Sequence, residues 1–226
     1  LAAQRIESGA LDEGGAEALA ASLNLSSRQL RRVVEASFGV TPVELAQTRR
    51  LLLAKQLLTD TRLPMAALAQ AAGFGSVRRF NHLFTTRYGM APSRLRQRGG
   101  DEVLGETFQM RLSYRPPLAW AHLLGFLTGR GAVGVEARDG MRYLRTVAVG
   151  RHQGWLAAEP MRETVAMQVT LSASLLPVLP QVLARLRRTL DLDANAPVID
   201  AQLGSDARLA ALVHATPGLR VPGSFD

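Results

Sequence analysis

Hydrophobic residues recur at helical spacing in two stretches that lie about fifty residues apart. In the second stretch they fall at i, i+3, i+4 and i+8, the pattern of a half-buried helix. The apolar positions of the two stretches are Leu30, Val33, Val34 and Phe38, then Phe80, Leu83, Phe84 and Tyr88. The spacing therefore predicts two amphipathic helices, over residues 27–38 and 76–88.

Capping residues and glycines set the limits of these helices. Ser76 can accept a backbone N–H at the helix start, and Gly89 can end the helix in the left-handed conformation. A short helix at 68–72 and a glycine turn at 73–75 precede the second helix. Helix, turn and helix form the pattern of a helix-turn-helix, and residues 19–42 repeat it.

The opposite faces of both helices carry side chains that suit nucleic acid. Arginine matches guanine O6 and N7 with two donors, and asparagine matches adenine N6 and N7. The candidate contact residues are Arg28, Arg31, Arg32, Arg78, Arg79, Asn81 and His82. The alternative is a solvated basic face. A connecting helix over residues 41–58 begins at Thr41-Pro42 with Glu44, and it could hold both helices in successive major grooves.

The periodicity changes to two from Phe108, which predicts a half-buried strand over residues 108–114. A helix over 118–129 follows, then strands near 134–138, 141–149, 154–159 and 165–171, and helices from 176 onward. Trp120 and Trp155 are expected in the core. The order of elements predicts an α+β antiparallel-sheet domain. We place an all-α domain at 1–98, a linker at 99–107 and the α+β domain at 108–226, because Arg98 to Glu102 would not pack in a core.

The charge distribution supports nucleic acid as the partner of the first half. Residues 1–100 carry 14 basic against 7 acidic residues, whereas residues 101–226 carry 13 against 12. The chain has no cysteine and no long apolar run, so we expect a cytoplasmic protein without a membrane span. The four histidines lack metal-ligand spacing, and no cofactor or catalytic motif is present, so no metal, cofactor or catalytic residue is assigned.

Residues 1–98 resemble the DNA-binding domain of AraC-type transcription regulators. The likeness rests on the paired modules and on one run of residues. That run comprises Gly73-Phe74, Phe80, Phe84, Tyr88-Gly89, Pro92 and Leu95-Arg96. The resemblance implies tandem helix-turn-helix modules that bind double-stranded DNA, with RNA polymerase as a candidate second partner. It does not indicate an oligomeric state.

Residues 108–226 resemble the N-terminal domain of AlkA-type methylpurine DNA glycosylases. The residues that carry this likeness are Tyr114-Arg115-Pro116-Pro117, Trp120, Leu124-Gly125-Phe126-Leu127, Val147-Ala148-Val149-Gly150 and Pro217 to Gly223. The resemblance implies an antiparallel sheet similar to the TATA-binding-protein fold. It also implies that Phe126 and Arg130 line the pocket of a flipped base. Phe126 as an ordinary core residue is the alternative.

The order of the two domains is similar to that of fused Ada–AlkA proteins of the alkylation response. Such proteins continue into a helix-hairpin-helix domain with a catalytic aspartate, so we expect these 226 residues to be an inactive fragment of a glycosylase that hydrolyses the N-glycosidic bond of alkylated purines. An alternative is an AraC-type regulator whose α+β domain binds a small-molecule effector in a closed pocket. An enzyme complete as given is the third hypothesis, and no catalytic group supports it.

Overall fold

The computed structural model describes residues 1–96 and 105–225, apart from the side chains of residues 12 and 13. It contains two compact units, Leu1–Gly105 with Leu176–Ala184, and Glu106–Leu175 with Arg185–Asp226. Most of the predicted linker at 99–107 lies outside the described residues. The domain boundaries at 98 and 108 therefore stay predictions.

Helices alone form the regular structure of the described part of residues 1–96. They are α1 (Ala2–Glu7), α2 (Ala10–Glu13), α3 (Gly15–Ser22), α4 (Ser27–Phe38), α5 (Pro42–Asp60), α6 (Met65–Ala71), α7 (Val77–Tyr88) and α8 (Pro92–Leu95). The short helix α2 lies between Gly9 and Gly14. Ala10 and Leu11 pack against the apolar cluster that holds Ile6 and Leu19, and this packing favours a helical turn.

The ends of α4 and α7 confirm the capping signals. The Ser76 hydroxyl accepts the backbone N–H of Arg79, and Ser26 with Gln29 forms a full capping box on α4. Gly39 and Gly89 end the two helices with φ of 70° and 68°, a conformation that glycine adopts without steric cost.

The connecting helix α5 starts where three local signals coincide. Thr41 and Glu44 form a capping box, and Pro42 occupies the first turn, where its missing N–H is not needed. The helix has 19 residues, which at 1.5 Å per residue gives about 28 Å. It packs against α4 of the first module and against α6 and α8 of the second. One rod therefore joins the two helix-turn-helix modules.

A five-stranded antiparallel sheet follows in the order β1-β5-β4-β3-β2. Its strands are β1 (Thr107–Ser113), β2 (Glu136–Asp139), β3 (Arg142–Val149), β4 (His152–Pro160) and β5 (Ala166–Ser172). The helices are α9 (Trp120–Gly129), a 3₁₀ helix (Ala173–Val178), α10 (Leu179–Thr189), α11 (Ala196–Gly204) and α12 (Ala210–Ala215). Helix α9 packs against β2 and β3. The predicted fold class, helix-turn-helix modules plus an α+β antiparallel domain, is confirmed.

The two tryptophans behave differently from each other. Trp120 is buried and donates its indole N–H to the carbonyl of Met141, 2.8 Å away. Trp155 was expected in the core, and this was wrong, since 42% of it is exposed. Successive residues of a strand point to opposite faces. Leu156 faces the core beside Leu171 of β5, so Trp155 points to the other face.

Candidate nucleic-acid interface and candidate base pocket

Helix α4 presents three arginines to solvent because its other face is fixed in the core. Leu30 and Val34 are almost fully buried, one turn apart. The exposed arginines are Arg28, Arg31 and Arg32. Arg31 donates its Nε–H to Glu35 Oε1 at 2.8 Å, and this contact raises the pKa of Arg31 above its usual range. The first module therefore exposes a basic face that contains one ion pair.

Helix α7 presents its predicted contact residues in the same way. Phe80 and Phe84 are fully buried, and four rings from Phe74 to Tyr88 follow one another at centroid distances of 5.2, 5.5 and 4.6 Å. The exposed residues are Arg78, Arg79, Asn81 and His82. The aromatic stack fixes the rotation of α7, so that these polar side chains point away from the core.

The second module carries positive charge without acidic residues. No aspartate or glutamate occurs between residues 61 and 96, whereas Arg62, Arg78, Arg79, Arg87, Arg94 and Arg96 do. The first module contains Glu35 among its basic residues, and Glu44 follows it in the first turn of α5. A surface of one sign attracts a polyanion over longer distances than a mixed one, so the field of the second module favours an anionic partner more strongly.

Phe126 and Arg130 meet at the C-terminal end of α9. Leu123, Leu124 and Leu127 fix the buried face of this helix, which leaves 47% of Phe126 exposed. The Arg130 guanidinium lies 4.9 Å from the centre of the Phe126 ring. Together they border a pocket of about 290 Å³. The pocket is also lined by Leu127, Glu136, Arg145, Thr189, Gly223, Ser224 and Phe225.

A buried ion pair forms the polar wall of this pocket. Glu136 of β2 and Arg145 of β3 are cross-strand partners, and their Oε1 and Nη1 atoms lie 2.7 Å apart. The Tyr143 hydroxyl donates to the same Glu136 oxygen. Burial raises the pKa of Tyr143 far above its usual range, and the hydrogen bond to Glu136 raises it further. Tyr143 therefore stays protonated and keeps donating.

The last described residues are tied to this wall. The Arg145 guanidinium lies 4.4 Å from the centre of the Phe225 ring, on which the guanidinium of Arg185 also packs at 5.9 Å. Upstream, Arg220 is buried and donates to four backbone carbonyls, those of Arg115, Pro117, Asp191 and Ala194. One guanidinium thus ties the C-terminal segment to two separate loops and directs the chain towards the pocket.

Gly218 makes this arrangement possible. Its φ is +77°, and a Cβ atom at this position would lie 2.4 Å from the carbonyl group of Pro117. Any larger residue would therefore push the C-terminal segment away from the loop after β1. The run Pro217 to Gly223, which carried part of the resemblance, is explained by this close approach and by Arg220.

Sequence reasoning missed Glu136, Tyr143, Arg145 and Phe225. One signal was available, since the alternation of β3 places Arg145 on the same face as Tyr143 and Val147, both buried. A charged side chain on a core face requires a partner of opposite charge. The identity of that partner follows from strand register, which the sequence pattern does not supply.

Within residues 1–96 and 105–225 no group of histidine and acidic side chains could hold a metal ion. The described helices include none that is long and apolar enough to cross a membrane.

Two protein families match this chain. The family of the AlkA N-terminal domain matches residues 109–226, and a helix-turn-helix domain family matches residues 19–98. A probable bifunctional transcriptional activator/DNA repair enzyme AlkA of Mycobacterium tuberculosis is 34% identical over 227 residues. The match covers 98% of this chain and 45% of that protein. The DNA-3-methyladenine glycosylase 2 of Escherichia coli is 38% identical over 115 residues, covering 51% of this chain and 39% of that protein.

Some solved structures resemble part of the chain. The C-terminal domain of AraT, a response regulator from Geobacillus stearothermophilus, has 25% identity and a TM-score of 0.41, covering 46% of this chain and 87% of its own. The DNA-binding domain of AdpA in complex with a target DNA has 27% identity and a TM-score of 0.37, covering 40% of this chain and 80% of its own. The chain spans less than half the length of the two curated relatives described above.

Proposed function

We propose that this chain is the DNA-binding part of a protein that regulates the response to alkylation damage and repairs that damage. The chain belongs to the AlkA N-terminal domain family and carries an AraC-type helix-turn-helix domain. The domain order and the relative from Mycobacterium tuberculosis support the pairing of the two roles. DNA binding also implies the compartment that holds the chromosome, which is the cytoplasm of a bacterial cell.

One observation carries the DNA-binding proposal. The exposed face of α7 combines Arg78, Arg79, Asn81 and His82, and its whole module lacks acidic residues. Phosphate contacts supply most of the affinity of such surfaces, and contacts to base edges supply the specificity. We assign Arg28, Arg31 and Arg32 of α4 to the same interface. RNA polymerase is a further partner that an activator role would require.

A salt titration of the whole chain tests the proposal. Fluorescence anisotropy on a duplex of mixed sequence should show log K falling linearly with log salt, by about 0.9 for each phosphate that the protein neutralises. Arg79→Ala should reduce this slope by about 1 if Arg79 contacts a phosphate. Arg151→Ala, in an exposed turn of the sheet domain, is the matched control and should leave the slope unchanged. Absent or salt-independent binding would contradict the proposal.

For the longer protein we propose hydrolysis of the N-glycosidic bond of alkylated purines, with Phe126 and Arg130 bordering the pocket that receives the flipped base. An aromatic face suits an electron-poor alkylated base, and half of Phe126 is exposed for such a contact. In a longer protein that includes a catalytic domain, Phe126→Ala should slow single-turnover release of the base. Phe38→Ala, an exposed ring in the first module, should not.

The second candidate is a regulator that binds a small-molecule effector in the α+β domain. The pocket beside Phe126 is the observation that favours it. This hypothesis requires a closed cavity, whereas Phe126 and Arg130 at the border are both exposed. A saturable small-molecule ligand that alters DNA binding would move this candidate ahead.

A further inference from the structure

The proposed DNA-binding face of α4 contains an ion pair between Arg31 and Glu35. A role for this face as a purely basic surface does not explain the acidic residue. The two residues lie one turn apart on the exposed side of α4, and 66% of the Arg31 side chain and 40% of the Glu35 side chain are exposed. Among the described arginines of α4 and α7, Arg31 forms an ion pair and the others do not. A carboxylate on a surface that binds phosphates weakens the electrostatic attraction to any DNA. The presence of Glu35 on this face therefore needs an explanation other than general affinity.

The geometry of the pair supplies that reason. A guanidinium has five N–H donors in a rigid plane, and Glu35 accepts only the one on Nε. Among the described residues the two Nη groups have no hydrogen-bond partner. They are therefore available as the pair of donors that matches O6 and N7 of guanine. Because the Nε–H is held, the long side chain of Arg31 keeps fewer of its rotamers.

We infer that Glu35 is a specificity-determining residue of the first module, which positions Arg31 to read one guanine in the major groove. The inference rests on the proposed DNA-binding function. The aligned positions of the second module are Asn81 and Thr85, both exposed and uncharged. Glu35 is therefore a device of the first module, and it lowers affinity for every duplex while it sharpens the choice of one base pair.

The test begins with selection of preferred duplexes from a randomised pool by the whole chain. Affinities are then measured on the selected site and on single base-pair changes, for the wild type, Arg31→Ala, Glu35→Ala and the double variant. One G·C pair should be preferred by the wild type by about 5-fold to 150-fold. Arg31→Ala should abolish that preference, and Glu35→Ala should reduce it several-fold. The double variant should resemble Arg31→Ala, because Glu35 acts through Arg31.

Two controls separate positioning from charge. Glu17→Gln removes one negative charge from α3, outside both recognition helices, and should leave the preference intact. Thr85→Ala alters the aligned position of α7 and should not affect the base pair read by Arg31. Circular dichroism verifies that each variant is folded, which its exposed position leads us to expect.

Each result has a distinct meaning. If Glu35→Ala raises affinity for all duplexes as Glu17→Gln does and leaves the preference unchanged, Glu35 is only a surface charge and the inference fails. If Arg31→Ala weakens all duplexes equally, Arg31 contacts phosphate and the inference fails as well. Failure of the DNA-binding proposal itself would look different, since no duplex would be selected and binding would lack salt dependence.

Discussion

The two helix-turn-helix modules share one frame and differ in what the frame holds. Ser26 and Ser76 begin the recognition helices, and Gly39 and Gly89 end them. In each helix two buried residues one turn apart face the core. These pairs are Leu30 with Val34, and Phe80 with Phe84. Caps and buried residues one turn apart therefore define each helix, and the exposed positions carry the differences in charge between the modules.

The second module is the more firmly packed of the two. Tyr88 lies 4.6 Å from Phe84, and the ammonium of Lys55 lies 5.7 Å from the Tyr88 ring. The aligned Phe38 is 51% exposed, and Val33 is 47% exposed, although both were expected on the apolar face. Leu30 and Val34 are smaller than Phe80 and Phe84. They therefore offer less apolar surface against which the ring of Phe38 could pack. The first module is thus expected to be the less stable one.

The largest effect should come from Phe84→Ala, which removes a fully buried ring from the aromatic stack. It should lower the free energy of unfolding by about 3–5 kcal/mol. Val34→Ala at the aligned position removes two buried methyl groups and should cost about 1.5–2 kcal/mol. Urea denaturation followed by circular dichroism at the helix band compares the two. Equal losses would contradict the idea that the second module is packed more firmly.

A smaller effect is expected for the aligned arginines Arg28 and Arg78 on a selected duplex. Each change to alanine should cost about 1–3 kcal/mol of binding if the arginine contacts a base. The two losses should add, since the residues belong to separate helices without shared partners. Measuring which base pair loses its preference in each variant would show whether the modules read different positions. A variant with unchanged affinity would remove its arginine from the interface.

Much of the fold could be predicted from local signals. The helix at 77–88 has the boundaries expected from Ser76 and Gly89, because a cap acts on neighbouring backbone groups. The helix at 27–38 has the bounds that the sequence pattern predicted. Five strands were predicted near their observed places. Apolar and polar residues alternate along a strand when one of its faces is buried, so the pattern reveals the strand. Trp155 was misplaced because alternation does not show which face is covered when the residues on both sides are apolar.

The candidate pocket was only half predictable. Phe126 and Arg130 are four residues apart on one helix, so their contact follows from helical spacing. Glu136, Arg145 and Phe225 meet through strand register and through a segment held by Arg220, at sequence separations of nine residues or more. No local pattern encodes such a meeting. The contact residues assigned to α4 and α7 stay predictions, because exposure is necessary for DNA contact and does not establish it.

The smallest effect on stability should come from changes at the N-caps of α5 and α8, the helices that follow the two recognition helices. Thr41 caps α5, whereas the aligned Ala91 offers no side-chain cap to α8. Thr41→Ala should therefore cost about 1 kcal/mol of stability. Ala91→Gly at the aligned position removes no capping bond and should cost less. A loss equal to that of Thr41→Ala would show that the cap contributes little.

Acid should affect this cap in a defined direction. The hydrogen bond from the Thr41 backbone N–H to Glu44, at 2.7 Å, lowers the pKa of Glu44 below its usual 4.5. A depressed pKa means that the ionised form is favoured in the folded chain. The contribution of Glu44 is therefore complete above pH 4.5 and is lost as the pH falls through the lower folded value. Glu44→Gln should remove this part of the pH dependence of unfolding between pH 6 and pH 3, about the range in which glutamate titrates. An unchanged profile would mean that the capping box does not persist in solution, and the two modules would then differ in their cores and reading faces alone.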